Sequence, residues 1–178
     1  MLRSMILVCL FATTLFSIGC SSMVLKNHYG GNTIYLELDG DIKSGRHHIN
    51  LIRAFNKAKY GDVIYFDVTS YGGRVSGTAR IAFAMYHSKA TVHVRVASHA
   101  MSGGAVLTCY GNSRLIAPGA VIMFHRPSYN IGAKRNLVPM DSINFKSFDK
   151  LFSKCKKYLN KKQLKRFYAG EDVFLVGG

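Results

Sequence analysis

The sequence predicts an α/β domain with mostly parallel strand pairing. Short runs rich in β-branched and aromatic residues alternate with segments of helical spacing, and the turns between them are short and carry glycine. The length of 178 residues, 48% of them hydrophobic, fits one folded domain, or one domain plus a targeting segment, and argues against disorder.

Taken in order, residues 20–32 are polar and glycine-containing and read as a tether. Residues 33–38 (TIYLEL) form a strand that ends at Asp39-Gly40. Residues 46–59 have helical spacing, with Ile49, Ile52 and Phe55 on one face. Residues 63–68 (VIYFDV) are a strand, and residues 69–73 a turn closed by Gly72-Gly73. Residues 76–88 read as a helix whose core stripe is Ala79, Ala82, Phe83 and Tyr86. A strand at 91–96, a loop at 98–101 and a small-residue helix at 102–110 follow. Strands at 115–116 and 121–124 flank the Pro118-Gly119 turn, and residues 140–168 read as helical and strongly basic. The chain shows no internal repeat, low-complexity tract or second domain, so residues 33–178 are expected to form one catalytic or binding domain.

The amino terminus places Arg3 before an apolar stretch over residues 5–18 and closes with Gly19-Cys20. It resembles a bacterial lipoprotein signal, with Ser17 where leucine is usual. That resemblance implies removal of residues 1–19, acylation of Cys20, and an exported protein lipid-anchored in the periplasm without a spanning helix. An ordinary export signal and an uncleaved anchor are the alternatives. Cys109 and Cys155 are read as two buried free thiols, with pairing in an oxidising compartment as the other reading.

The net charge is +15, and most of the excess lies in residues 134–166. That balance suits nucleic acid or an anionic membrane surface as a partner, and the stretch itself also reads as a solvated face. Zero Trp and 3 Pro exclude a proline-rich or Trp-motif binding module. No metal site is expected: His47-His48 lacks convergent ligands, and the four cysteines lack zinc spacing.

Two glycine turns follow strands and open helices, at 71–74 (YGGR) and 101–105 (MSGGA). Glycines there allow positive φ, which by itself is a structural role. The second turn also carries Ser102 at a helix start, where free backbone N–H groups can stabilise an oxyanion. A serine nucleophile needs a base. His125 ends a strand and is the candidate, with His99, three residues before Ser102, as its rival.

Residues 67–75 (DVTSYGGRV), 99–105 (HAMSGGA) and 121–127 (VIMFHRP) resemble, in that order, segments of the Clp-type serine peptidases (ClpP). Tyr71 replaces a proline of the family's glycine turn, and Gly103 a methionine after its serine. The Ser-Gly-Gly wording is closer to signal peptide peptidase A. Residues 170–175 (GEDVFL) resemble the segment that holds the family's triad aspartate. The likeness spans roughly residues 33–176.

The resemblance implies a ClpP/crotonase-like spiral of ββα units in a single domain. It implies a serine-type endopeptidase with Ser102 as nucleophile, His125 as base and then acid, Asp172 as orienter, and the N–H groups of Gly73 and Gly103 as oxyanion hole. Asp141 and Asp149 are rival orienters. Peptide or protein is the implied substrate, and no cofactor, nucleic acid or ATPase partner is expected. Residues 128–158 stand where the family has a long handle helix for ring stacking but are far more basic, which leaves a homo-oligomer open. The family usually continues past the position of Gly178, so Asp172 is either loosely held or the chain is truncated. Two competing readings are a non-catalytic envelope protein that kept the fold for binding and a crotonase-like acyl-thioester enzyme; a serine–lysine dyad with Lys134 or Lys89 as base is a variant of the peptidase reading.

Overall fold

A computed structural model describes residues 22–26 and 30–178. Its larger sheet has the order β1-β2-β3-β4-β6. The strands are β1 (Ser22–Lys26), β2 (Asn32–Asp39), β3 (Val63–Thr69), β4 (Thr91–Val96) and β6 (Ser113–Ile116). β1 runs antiparallel to β2, while β2, β3, β4 and β6 are parallel. Part of the expected tether is therefore an edge strand. Helix α1 (Ile49–Lys57) links β2 to β3, and α2 (Val75–His87) links β3 to β4.

Strict alternation puts Leu36, Leu38, Ile64, Phe66, Val68, Val92, Val94 and Val96 in the core. Phe55 of α1 meets Phe66 edge-on at 5.3 Å. Each such side chain, fully buried, contributes about 1.5–3 kcal/mol. Other side chains of the same strands carry a ladder of Tyr35, Tyr65 and His93, stacked at 5.4 and 5.3 Å, beside the Asp67–Arg95 ion pair.

A second sheet has the order β10-β7-β5, formed by β5 (His99–Met101), β7 (Val121–Phe124) and β10 (Val173–Val176). Helix α3 (Gly103–Leu107) follows β5. After β7 comes a hairpin, β8 (Ser128–Ile131) and β9 (Lys134–Leu137). Then α4 (Ile143–Phe152), a 3-10 turn over Ser153–Tyr158 and α5 (Lys161–Ala169) complete the chain up to β10. Phe124 of β7 packs on Phe152, which stacks on Phe167 at 4.1 Å, so β7 is clamped from behind by α4 and α5.

Several local expectations change. Residues 98–101 are not a loop, because His99–Met101 pairs with β7. Residues 128–137 are a hairpin rather than the start of a helical handle, and Gly132, at φ 58°, makes its two-residue turn. The buried face of α2 is Gly77, Thr78, Ile81, Ala82, Ala84 and Met85, whereas Phe83 and Tyr86 are exposed. Small residues let that helix lie close to its neighbours, and a Cβ at Gly77 would collide with the Lys43 carbonyl. Finally, Cys109 and Cys155 are not free thiols but a disulfide, with Cα atoms 5.1 Å apart. Cys20 lies outside the described residues.

Candidate active site

Three strand ends meet at one end of the smaller sheet. In the parallel β5–β7 ladder Met101 faces Met123, and in the antiparallel β7–β10 ladder Val173 faces Phe124. The residues that leave the sheet at that end are Ser102 after β5, His125 one step beyond Phe124, and Asp172 just before β10. The backbone N–H of Ser102 donates to the Met123 carbonyl at 2.8 Å, tying the two turns together.

Ser102 has φ 52° and ψ −118°, and it is the only non-glycine with positive φ among the described residues. Such a conformation costs about 1–3 kcal/mol and persists where the surroundings impose it. Here α3 starts at once, with Val106 N–H on the Ser102 carbonyl at 3.1 Å. The Ser102 side chain does not cap that helix, and its Oγ has no hydrogen-bond partner among the described residues.

The turn after β3 is packed directly against this serine. Ser70 N–H donates to the His99 carbonyl, Met101 N–H to the Ser70 carbonyl, and Ser70 Oγ to the Gly40 carbonyl at 2.6 Å. Gly73, at φ 144°, sits where a Cβ would collide with the Ile42 carbonyl. Ile42 clamps the turn from its other side: its N–H donates to the Gly72 carbonyl and its carbonyl accepts from Arg74 N–H, both at 2.7 Å. Neither Gly73 N–H nor Gly103 N–H is engaged by another described residue. A helix start and a glycine turn thus present two free donors beside one serine. Gly103 must be glycine for the same reason of space, since a Cβ there would meet Thr78 Oγ1.

His125 is half-buried, and its Nδ1 lies 2.6 Å from the Arg126 carbonyl and 2.9 Å from Arg135 Nη2. Arg135, on β9, reaches Asp172 Oδ1 with Nη1 at 3.4 Å and Nη2 at 3.5 Å. Asp172 is thus close to His125, but the guanidinium stands between them. Burial pushes the His125 imidazole below its ordinary value, and the Arg135 charge pushes the same way. The Arg126 carbonyl and Asp172 oppose the shift without cancelling it.

Of the rival residues, His99, Asp149 and Lys89 have other partners, and Asp141 and Lys134 are exposed. His99 lies against the Tyr71 ring at a tilt, with ring centres 4.2 Å apart, and its Nδ1 is 3.2 Å from Ser98 Oγ. Asp149 accepts from Tyr168 Oη at 2.6 Å and pairs with Lys156 at 3.0 Å, while Asp141 is exposed ahead of α4. Lys89 lies over the Tyr60 ring, and Lys134 is exposed on β9. Arg135, Ile42 and Thr78 belong to the site's surroundings and carry no sequence signal of their own. Among the described residues no group of three or more His, Cys, Asp or Glu is placed to hold a metal.

A cleft of about 550 Å³ opens beside the glycine turn, lined by Lys43, His47, Tyr71, Gly73 and Arg74 among others. No curated protein matches the chain. The sequence pattern of the Clp protease family matches residues 23–166, a span that includes Gly73, Ser102, Gly103 and His125 and stops short of Asp172. With that match over most of its length and this α/β architecture, the chain belongs to the Clp protease family.

Proposed function

We propose that the chain is a serine peptidase that cleaves peptide bonds through an acyl-serine intermediate. Ser102 Oγ attacks the scissile carbonyl carbon while His125 Nε2 takes its proton. The carbonyl electrons move to oxygen, and the N–H groups of Gly73 and Gly103 hold the resulting oxyanion. Collapse expels the amine, which receives the proton from His125. Water then attacks the acyl-serine with His125 again as base, releasing the acid and restoring Ser102. Asp172 fixes the imidazole tautomer and stabilises the imidazolium. The observation that carries this reading is the convergence of Ser102, His125 and Asp172 at one sheet end, beside two unengaged amides.

The site of action is outside the cytoplasm, on a membrane to which acylated Cys20 tethers the chain. The Cys109–Cys155 disulfide supports an oxidising compartment. The lysines of α4, α5 and the 3-10 turn between them support an anionic lipid surface as neighbour, since among the described residues only Lys156 and Arg166 of the stretch 143–169 have acidic partners. Among the described residues, no helix is long and apolar enough to cross a membrane.

The test is labelling of the full-length chain by a fluorophosphonate. Wild type should label, Ser102→Ala should not, and His125→Ala should label far more slowly. A second reading, a binding protein that kept the fold, draws on the unpartnered Ser102 Oγ and the intervening Arg135. A folded wild-type chain that does not label would favour it.

A further inference from the structure

The contacts at His125 Nδ1 compete for one proton position. To donate to the Arg126 carbonyl at 2.6 Å, Nδ1 must carry hydrogen. To accept from Arg135 Nη2 at 2.9 Å, it must present a lone pair. A guanidinium has only donors, so it can never serve as the orienting acceptor that a carboxylate provides. When Arg135 holds Nδ1, the imidazole proton resides on Nε2, and Nε2 then has no lone pair with which to take a proton from serine. The same guanidinium occupies the Asp172 carboxylate at 3.4 and 3.5 Å. It is steadied by Ser128 Oγ, which accepts from Arg135 Nε at 3.1 Å across the hairpin.

We propose that Arg135 is a positioning residue that holds the His125–Asp172 pair apart and keeps the imidazole in its unproductive tautomer until the β8–β9 hairpin shifts. The inference rests on the serine-peptidase reading of Ser102 and His125. Among the described residues, the polar and charged groups that face the imidazole are Arg135 from β9, the Arg126 carbonyl next along the chain, and Asp172 ahead of β10, which Arg135 holds. Arg135 and Asp172 are both partly exposed, with side chains 42% and 37% accessible. An ion pair so placed is weak enough for a substrate or partner lying on the hairpin to displace it. Once the guanidinium withdraws, Nδ1–H donates to the Arg126 carbonyl or to Asp172, and Nε2 is free to act as base.

The experiment uses the full-length chain as wild type, Arg135→Gln, Arg135→Ala and Ser102→Ala. It measures fluorophosphonate labelling rate together with the His125 imidazole titration and tautomer by nitrogen NMR. The exposed position of Arg135 predicts that both variants melt close to wild type. The expected result is labelling faster by about tenfold or more in both Arg135 variants, as expected when a base gains its orienter. The His125 titration should move upward, with the neutral proton shifting from Nε2 to Nδ1. Labelling that is unchanged or slower, or an unmoved His125 signal, overturns the role of Arg135 while leaving a labelled wild type as support for the peptidase. If no form labels, the peptidase reading fails, and the NMR signal alone decides: the upward move and tautomer change uphold the contact's role, and an unmoved signal overturns it.

Discussion

Gly72 lies so close to Ser102 that a Cβ built on it would stand 2.6 Å from the serine's own Cβ, 2.8 Å from the Met101 carbonyl oxygen and 2.9 Å from Gly103 N. Gly72 also has φ +99°. Replacement by alanine combines backbone strain with a collision against the serine turn. Gly72→Ala is expected to cost about 2–3 kcal/mol, lowering Tm by about 5–10 °C, and to abolish fluorophosphonate labelling. Gly119→Ala is the control: it has φ +77° with nothing within 4 Å, so it should pay only the strain and label normally. Equal labelling of the two variants would show that the glycine turn does not shape the serine site.

The His125 imidazole, lowered from 6.5 chiefly by burial, predicts the acid side of the reaction. Its neutral form is the base, so the labelling rate should be on its plateau at pH 7, with the acid limb below 6.5. Stability follows the same sign. The folded state binds fewer protons than the unfolded one between the lowered value and 6.5, so stability is full above 6.5 and is lost as pH falls through that window. Labelling rates measured from about pH 5 to 8 decide it. An acid limb at or above 6.5 would mean that Asp172, rather than burial and Arg135, dominates the imidazole.

The parts of this architecture that were legible in the sequence are those where one physical demand acts alone. β3, β4 and β7 are runs whose alternate side chains enter the core, and β7 coincides with the expected residues 121–124. Ser102, His125 and Asp172 were legible only as candidates, through the order of their segments, and the three lie at one sheet end. β5 was not, because three residues are too few to show an alternation. The β9 strand reads Lys-Arg-Asn-Leu, polar and half-exposed, so only its partner strand defines it. Phe83 and Tyr86 look like core residues by type, yet Gly77, Ala82 and Ala84 decide which side of α2 faces inward. Arg135 is the extreme case: its place between His125 and Asp172 depends on hairpin register, which no local pattern encodes.

The disulfide ties the end of the serine-bearing helix region to the 3-10 turn beneath it, closing a loop of sequence separation 46. A loop of that length constrains the unfolded chain by about 4 kcal/mol in the chain-entropy model. Reduction of the wild type should therefore lower Tm by about 10 °C. The double variant Cys109→Ala/Cys155→Ala should melt near the reduced wild type and be insensitive to reductant. A wild type whose melting ignores reductant would show that the bridge does not form in the purified protein.

Arg126 makes the last case, because it is a buried cation immediately beside the proposed base. It is 8% exposed, with Nη2 on the Val138 carbonyl at 2.7 Å and Nη1 on the Tyr168 carbonyl at 3.2 Å. Its guanidinium carbon lies 5.1 Å from the Phe145 ring centre. Through these contacts one side chain joins the exit of β7 to the segment after β9 and to the last turn of α5. Arg126→Met keeps the apolar stem but leaves the part-buried Val138 and Tyr168 carbonyls without their donor, at an expected cost of about 1–3 kcal/mol read by denaturant unfolding. The backbone carbonyl that faces His125 Nδ1 survives the substitution, so the imidazole should keep that contact. If Arg126→Met unfolds within about 0.5 kcal/mol of wild type, the guanidinium is not what holds these three elements together, and aromatic packing around Phe152 and Phe167 carries the junction instead.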